Sequence, residues 1–183
     1  MRRVLAALML CLAAAGTPAA DQARHGFAPP AGIGGPIDLV DQRGTPFSLA
    51  RVAGRPTLVF FGFLHCGSTC PVALVTAQHL LREFAPGEAP AIVFVTLDAS
   101  DGPAELGAFL DKIDPRLIGL TGDPAHIERV AQRYGVGVRR QPEGIEHSSM
   151  WYLLDGAGHL KRVYPYSTPA AQLVIDLRAL QAR

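Results

Sequence analysis

Two cysteines stand four residues apart in Cys66-Gly67-Ser68-Thr69-Cys70, with Pro71 directly after them and the aromatic-rich run Leu58–Phe63 before His65. Sulfur is a soft, polarisable donor, and its ionised form is both the nucleophile and the metal ligand. Three chemistries follow. The sulfurs could be two of three ligands for copper, since thiolates suit Cu(I) and imidazole suits either copper state. They could be a dithiol exchanging with disulfides of other proteins. They could also be a structural staple, but a disulfide closing so small a loop constrains the unfolded chain little.

The flanking sequence says where this pair must sit. Leu58 to Phe63 is short, apolar and β-prone, which reads as a strand buried on both faces. Pro71 suits the first turn of a helix, where its missing N–H goes unused. Val72, Leu74, Val75, Leu80 and Leu81 then continue a helical pattern to about Phe84. The sulfurs are therefore expected in a partly exposed loop between a sheet edge and a helix N-terminus. There the unpaired N–H groups and the helix dipole would favour thiolate over thiol.

Six histidines are candidates for a third ligand. His25 falls in a Gly/Ala/Pro-rich stretch and reads as solvated. His65 adjoins Cys66, where neighbouring side chains diverge, so it reads as a packing or supporting residue. His79 and His126 lie on expected helix surfaces, and His159 at a hairpin turn. His147 differs, because Glu146-His147-Ser148-Ser149 precedes the apolar run Met150–Leu154. Spacing alone leaves it open between ligand and bystander. With Met150 the one methionine beyond the N-terminal segment, a methionine-rich copper site is excluded by counting.

The 183 residues are 49% hydrophobic and 18% charged, enough for one domain with a core of its own. A formal net charge of +1 leaves no electrostatic footprint for nucleic acid and no polybasic membrane patch. Residues 1–20 combine Arg2-Arg3, an apolar Val4–Ala15 stretch and a small-residue end, the layout of a signal peptide. An uncleaved anchor is the alternative, and membrane contact is expected only in that case. Cys11 falls in the discarded segment, leaving Cys66 and Cys70 as the cysteines of an exported, periplasmic chain. Residues 21–36 read as a flexible tether and 37–183 as the domain.

Within that domain, Ile37–Leu49 reads as a β-hairpin around Asp41-Gln42-Arg43-Gly44. Ala91–Leu97 is a second buried strand, and Pro103 opens a helix carrying Leu106, Phe109, Leu110 and Ile113. Leu117–Leu120 is a short strand, and Asp123-Pro124 starts a helix that Gly135 stops. Val138–Gly144 is polar and loop-like. Met150–Leu154 and Leu160–Tyr164 form a hairpin, and Thr168 caps a last helix to about Leu180. Strands alternating with helices, then a hairpin and a helix, give an α/β fold with a central mixed sheet flanked by helices. A cysteine loop between strand and helix in that order is thioredoxin-like, although thioredoxin has two residues between its cysteines. In such a sheet the Met150–Leu154 strand would lie beside the cysteine loop, close to His147.

Taken together, Phe60-Phe61-Gly62-Phe63-Leu64-His65-Cys66, Cys70-Pro71, Gly119-Leu120-Thr121-Gly122, Tyr134-Gly135-Val136 and Glu146-His147-Ser148 resemble the Sco/SenC family. These are thioredoxin-like copper-binding proteins that help assemble the copper centre of cytochrome c oxidase. The resemblance spans about Ile37 to Leu180. It implies a copper site of Cys66, Cys70 and His147 and a copper-receiving partner, a cytochrome c oxidase subunit. It implies a metallochaperone rather than an enzyme. The enzymatic alternative is a thiol–disulfide oxidoreductase in which Cys66 and Cys70 are catalytic and reduce a copper-receiving partner. A peroxidase fits less well, because no peroxidatic cysteine with nearby Thr and Arg is evident. The sequence departs from the family at Asp98-Ala99-Ser100-Asp101, which is shorter than the usual Asp-Pro-x-Arg-Asp. Asp98 and Asp101 either keep that acidic contribution or cap the next helix.

Overall fold

A computed structural model describes residues 26–182 apart from Ser68 and Glu143. The expected signal peptide, residues 1–20, lies outside the described residues, as do Cys11, His25 and the first part of the expected tether.

Thr57–Gly62 (β3) is buried at every position and forms the centre of a seven-stranded sheet. It pairs in parallel with Ala91–Thr96 (β4), which pairs in parallel with Ile118–Thr121 (β5). On the far side of β5 lies the hairpin of Leu39–Asp41 (β1) and Pro46–Phe47 (β2), joined antiparallel through β1. Met150–Leu154 (β8) runs antiparallel to β3, and Leu160–Pro165 (β9) antiparallel to β8. The sheet order is β2-β1-β5-β4-β3-β8-β9, mixed in direction as the alternation of elements implies.

Because side chains alternate along a strand, β3 feeds two cores. Leu58 and Phe60 pack with Thr69–Arg82 (α1), Pro103–Asp111 (α2) and Ala170–Gln181 (α4). Val59 and Phe61 pack on the other face with Pro124–Arg133 (α3). Under the C-terminal half of β3, Phe61, Tyr134 and Tyr152 close a triangle of rings with centroids 5.6, 5.6 and 5.4 Å apart. Each such pair adds about 0.5–1.5 kcal/mol beyond area burial. The strand end that leads into the cysteines is thereby held rigid.

Three expectations need correction. Helix α1 starts at Thr69, so Cys70 belongs to its first turn rather than to the loop before it. Val138–Gly144 is not a loop. Val138–Gln141 (β6) and Gly144–His147 (β7) pair antiparallel as a separate two-stranded sheet. All four β6 residues are exposed, so no buried face wrote an alternating pattern into the sequence. Thr168 does not cap α4. Its N–H donates to the Pro165 carbonyl in a turn, and Pro169 takes the cap position. The described part of the expected tether, residues 26–36, is irregular and hydrogen-bonded to the domain. Phe27 and Val163 exchange backbone hydrogen bonds of 3.0 and 3.1 Å, the Gly34 N–H reaches the Arg133 carbonyl at 2.9 Å, and the Tyr134 hydroxyl donates to the Gly35 carbonyl at 2.8 Å.

The β1–β2 turn is organised by one buried carboxylate. Asp41 accepts from the Arg43 and Thr45 N–H groups, both at 2.9 Å, and from Arg51 at 2.7 Å. Gly44 holds a φ of 77° in that turn, a region a Cβ disfavours. Burial pushes the Asp41 carboxyl upward, but Arg51 and the two N–H donors outweigh it and hold the group below its usual 3.8. Asp114 is held low by the Arg116 guanidinium, against an opposing push from burial. A folded-state value below the unfolded one contributes stability above the unfolded value, lost as pH falls through the folded value. The stability these two carboxylates contribute should therefore stay level from about pH 7 to pH 5 and be lost below about pH 4. Asp41→Ala should lower stability at pH 7 by about 2 kcal/mol and flatten that acid slope, measured by denaturant melts across pH.

Candidate metal centre

Strand β3 ends at Gly62, and the chain turns through Phe63–Gly67, with the Cys66 N–H donating to the Phe63 carbonyl at 3.2 Å. That turn leaves Cys66 half-buried, while the first turn of α1 carries Cys70 inward to 2% exposure. Hairpin β6–β7 brings His147 from the opposite side. Its base is closed by reciprocal bonds: the Ser148 N–H donates to the Gly137 carbonyl and the Gly137 N–H to Ser148 Oγ, both at 3.0 Å. Arg140 ties the hairpin to the main sheet through the Leu97 carbonyl at 2.9 Å. The result brings Cys66 Sγ, Cys70 Sγ and a ring nitrogen of His147 within 4.8 Å of one another.

His147 is prepared as a ligand. Nδ1 lies 3.1 Å from the Ser148 carbonyl oxygen, which can only accept, so Nδ1 carries the proton and Nε2 keeps its lone pair. Phe63 packs edge-on to the ring, with centroids 5.9 Å apart and planes at 74°. Burial pushes the imidazole below its ordinary 6.5, with the Ser148 carbonyl pulling the other way. The neutral form, the one that binds metals, is therefore favoured at neutral pH.

One sulfur differs from expectation. Burial pushes the Cys70 thiol far above its ordinary value, and the neighbouring Cys66 adds to the shift, against a smaller opposing effect of the Phe63 N–H. Desolvation outweighs the helix N-terminus here, so Cys70 is a protonated thiol in the metal-free protein rather than a thiolate. A metal ion entering the site must displace that proton, so loading is coupled to proton release. Cys66 and Cys70 are both free in this structure. Three converging donors of soft and borderline type could hold one metal ion, and a set of three leaves coordination room for an exchanging ligand.

Around the donors, Phe63, His65, Gly67, Asp98, Gln141 and Glu146 border a cleft of about 500 Å³. His65 is exposed on its wall rather than packed. His79, His126 and His159 are exposed, with His126 bonded to Asp123. Asp98 binds the N–H and hydroxyl of Ser100 at 2.9 and 2.7 Å, and Gly102 is the cap residue of α2, so neither aspartate caps that helix with its side chain.

Asp101 is a residue the sequence did not single out for its real role. It is 1% exposed, and its Oδ2 accepts from the Leu64 N–H at 3.0 Å and from the Thr96 hydroxyl at 2.5 Å. Its own carbonyl accepts from Thr121 at 2.9 Å. The carboxylate thus fastens the turn before Cys66 to β4, and the Asp101 backbone carbonyl ties the same residue to β5. Asp101→Ala should free the Leu64 amide and cost about 1–3 kcal/mol, whereas Asp101→Asn, which keeps an acceptor, should cost less. Hydrogen exchange at Leu64 reads the difference directly.

Fold and site together describe a thioredoxin-like domain with a Cys-Cys-His donor set at the end of its central strand. Comparison with known proteins agrees. The SCO1/SenC family model matches residues 27–182, and the chain belongs to that family. It is 33% identical over 147 residues to an SCO2-like protein of Rickettsia conorii, covering 75% of this chain and 72% of that protein. It is 34% identical over 132 residues to protein SenC of Rhodobacter capsulatus, covering 67% of this chain and 59% of that one. Among solved structures, copper-bound ScoI of Bradyrhizobium japonicum superimposes with a TM-score of 0.74 at 32% identity, over 81% of this chain and 99% of that one. Copper-bound ScoI of Arabidopsis thaliana gives 0.76 at 25% identity, over 82% and 99%.

Proposed function

We propose that this protein is a copper metallochaperone that holds one copper ion between Cys66, Cys70 and His147 and passes it to a partner. The convergence of two sulfurs and a ring nitrogen within 4.8 Å carries the reading. Thiolates favour Cu(I) strongly, and among divalent first-row ions such a site prefers copper. Similarity to two copper-bound ScoI proteins supports the same metal. The recipient is a copper-receiving subunit of cytochrome c oxidase, and the chain acts after export, with residues 1–20 as its signal. Among the described residues, no helix is long and apolar enough to cross a membrane.

Transfer would be ligand exchange. Cys66 is the more accessible sulfur and His147 is half-buried on a hairpin, so an incoming donor meets these two before the buried Cys70. The same exposure difference favours a second reading, disulfide reduction. The Cys66 thiolate would attack a partner disulfide and release one thiolate, and Cys70, giving its proton to that released thiolate, would then attack Cys66 Sγ and displace the other. That leaves Cys66–Cys70 oxidised and the partner reduced by two electrons.

Anaerobic Cu(I) titration against a competing chelator separates the two. Wild-type protein should take up one tightly held copper per chain, and His147→Ala should weaken it by at least about tenfold. Unchanged affinity in His147→Ala would remove that residue from the ligand set. Absence of tight binding, with ready exchange against a test disulfide, would favour the oxidoreductase.

A further inference from the structure

Cys70 needs a specific vacancy beneath it. Along β3, Leu58 and Phe60 point to the face that α1, α2 and α4 cover, and alternation puts position 62 on that face too. An apolar side chain would be the ordinary occupant of so buried a place. Gly62 stands there instead, and its backbone is ordinary strand in which any residue is comfortable. The reason for glycine is therefore space rather than conformation. A methyl group on Gly62 would sit 2.7 Å from Cys70 Sγ and 2.9 and 3.1 Å from Phe94 ring carbons. Contacts that short cannot persist, and two neighbours could yield.

Phe94 is clamped. It is 1% exposed in β4 and stacks on Phe60 with centroids 6.4 Å apart. The Gly62 backbone is equally fixed, paired with Thr96 and accepting from the Leu97 N–H at 2.7 Å. Cys70, by contrast, presents one sulfur at the end of a rotatable side chain in the first turn of α1, next to the other two donors. The sulfur is the neighbour with somewhere to go.

We propose that Gly62 is a positioning residue whose missing side chain seats the Cys70 sulfur, so that Cys70 is the fixed donor and Cys66 and His147 close around it. This rests on the reading of the three residues as a copper site. A side chain at position 62 would push the sulfur outward, spoil the triangle and expose Cys70 to reagents that the wild type excludes. Copper affinity and the difference in accessibility between the two cysteines would then fall together.

The test uses the full chain as wild type, Gly62→Ala, and Gly62→Ala with Phe94→Leu, which gives back room at the ring but not at the sulfur. Two quantities are read: Cu(I) affinity by anaerobic competition, and alkylation rates of Cys66 and Cys70 in the reduced, metal-free protein, resolved by peptide mapping. Wild type should alkylate Cys66 much faster than Cys70. Gly62→Ala should narrow that ratio at least tenfold and weaken Cu(I) at least tenfold, and the double variant should melt closer to wild type while keeping both defects. Recovery of both in the double variant would assign the defect to the Phe94 ring and overturn the proposal, as would a Gly62→Ala protein with wild-type ratio and affinity. Should wild type bind no Cu(I), the copper reading falls, and the alkylation ratio alone still decides whether Gly62 seats the sulfur.

Discussion

The structure depends on the burial of one sulfur at the end of one strand. Cys70 is 2% exposed because the first turn of α1 presses it against the last residue of β3. Everything near it serves that contact. The aromatic triangle under Phe61 stiffens the strand, Asp101 fastens the turn through Leu64, and Gly62 supplies the space. A donor held this firmly loses little conformational freedom when a metal arrives, because the fold has already restricted it.

Burial also sets the chemistry. A helix N-terminus stabilises an anion by roughly 0.3–1 kcal/mol at an exposed site, whereas desolvating a charged sulfur costs more. Cys70 therefore stays protonated until a cation replaces its proton. His147 is pushed the opposite way by the same cause, because for an imidazole the charged form is the protonated one. Dryness thus gives a protonated thiol and a neutral imidazole side by side. That pairing resists adventitious oxidation at Cys70, since thiolate is the reactive form, yet leaves the ring nitrogen free to ligate.

Much of the fold was legible because burial leaves a pattern. The unbroken apolar runs of β3 and β4 announced strands covered on both sides, and Leu106 and Leu110 announced the buried stripe of α2. Asp123-Pro124 marked the start of α3, where the Asp123 side chain does accept from the His126 N–H. The β6–β7 hairpin was not legible, since Val138–Gln141 is exposed throughout and its pairing buries nothing that repeats. The cysteines were visible by type and spacing, and His147 stood out by its place before the Met150–Leu154 run, but only a family likeness implied that it ligates. What brings it to them is that illegible hairpin. Gly62 and Asp101 were hidden for different reasons: a glycine says nothing about whether shape or space requires it, and an aspartate before a helix reads as a cap.

The central claim is that Cys66, Cys70 and His147 together hold copper. X-ray absorption at the copper edge of the Cu(I)-loaded protein tests it most directly, because it counts donors by element. Two sulfur scatterers and one imidazole nitrogen per copper, with the nitrogen lost in His147→Ala, are what the account predicts. A copper shell with one sulfur or none, or one unchanged by His147→Ala, would contradict it.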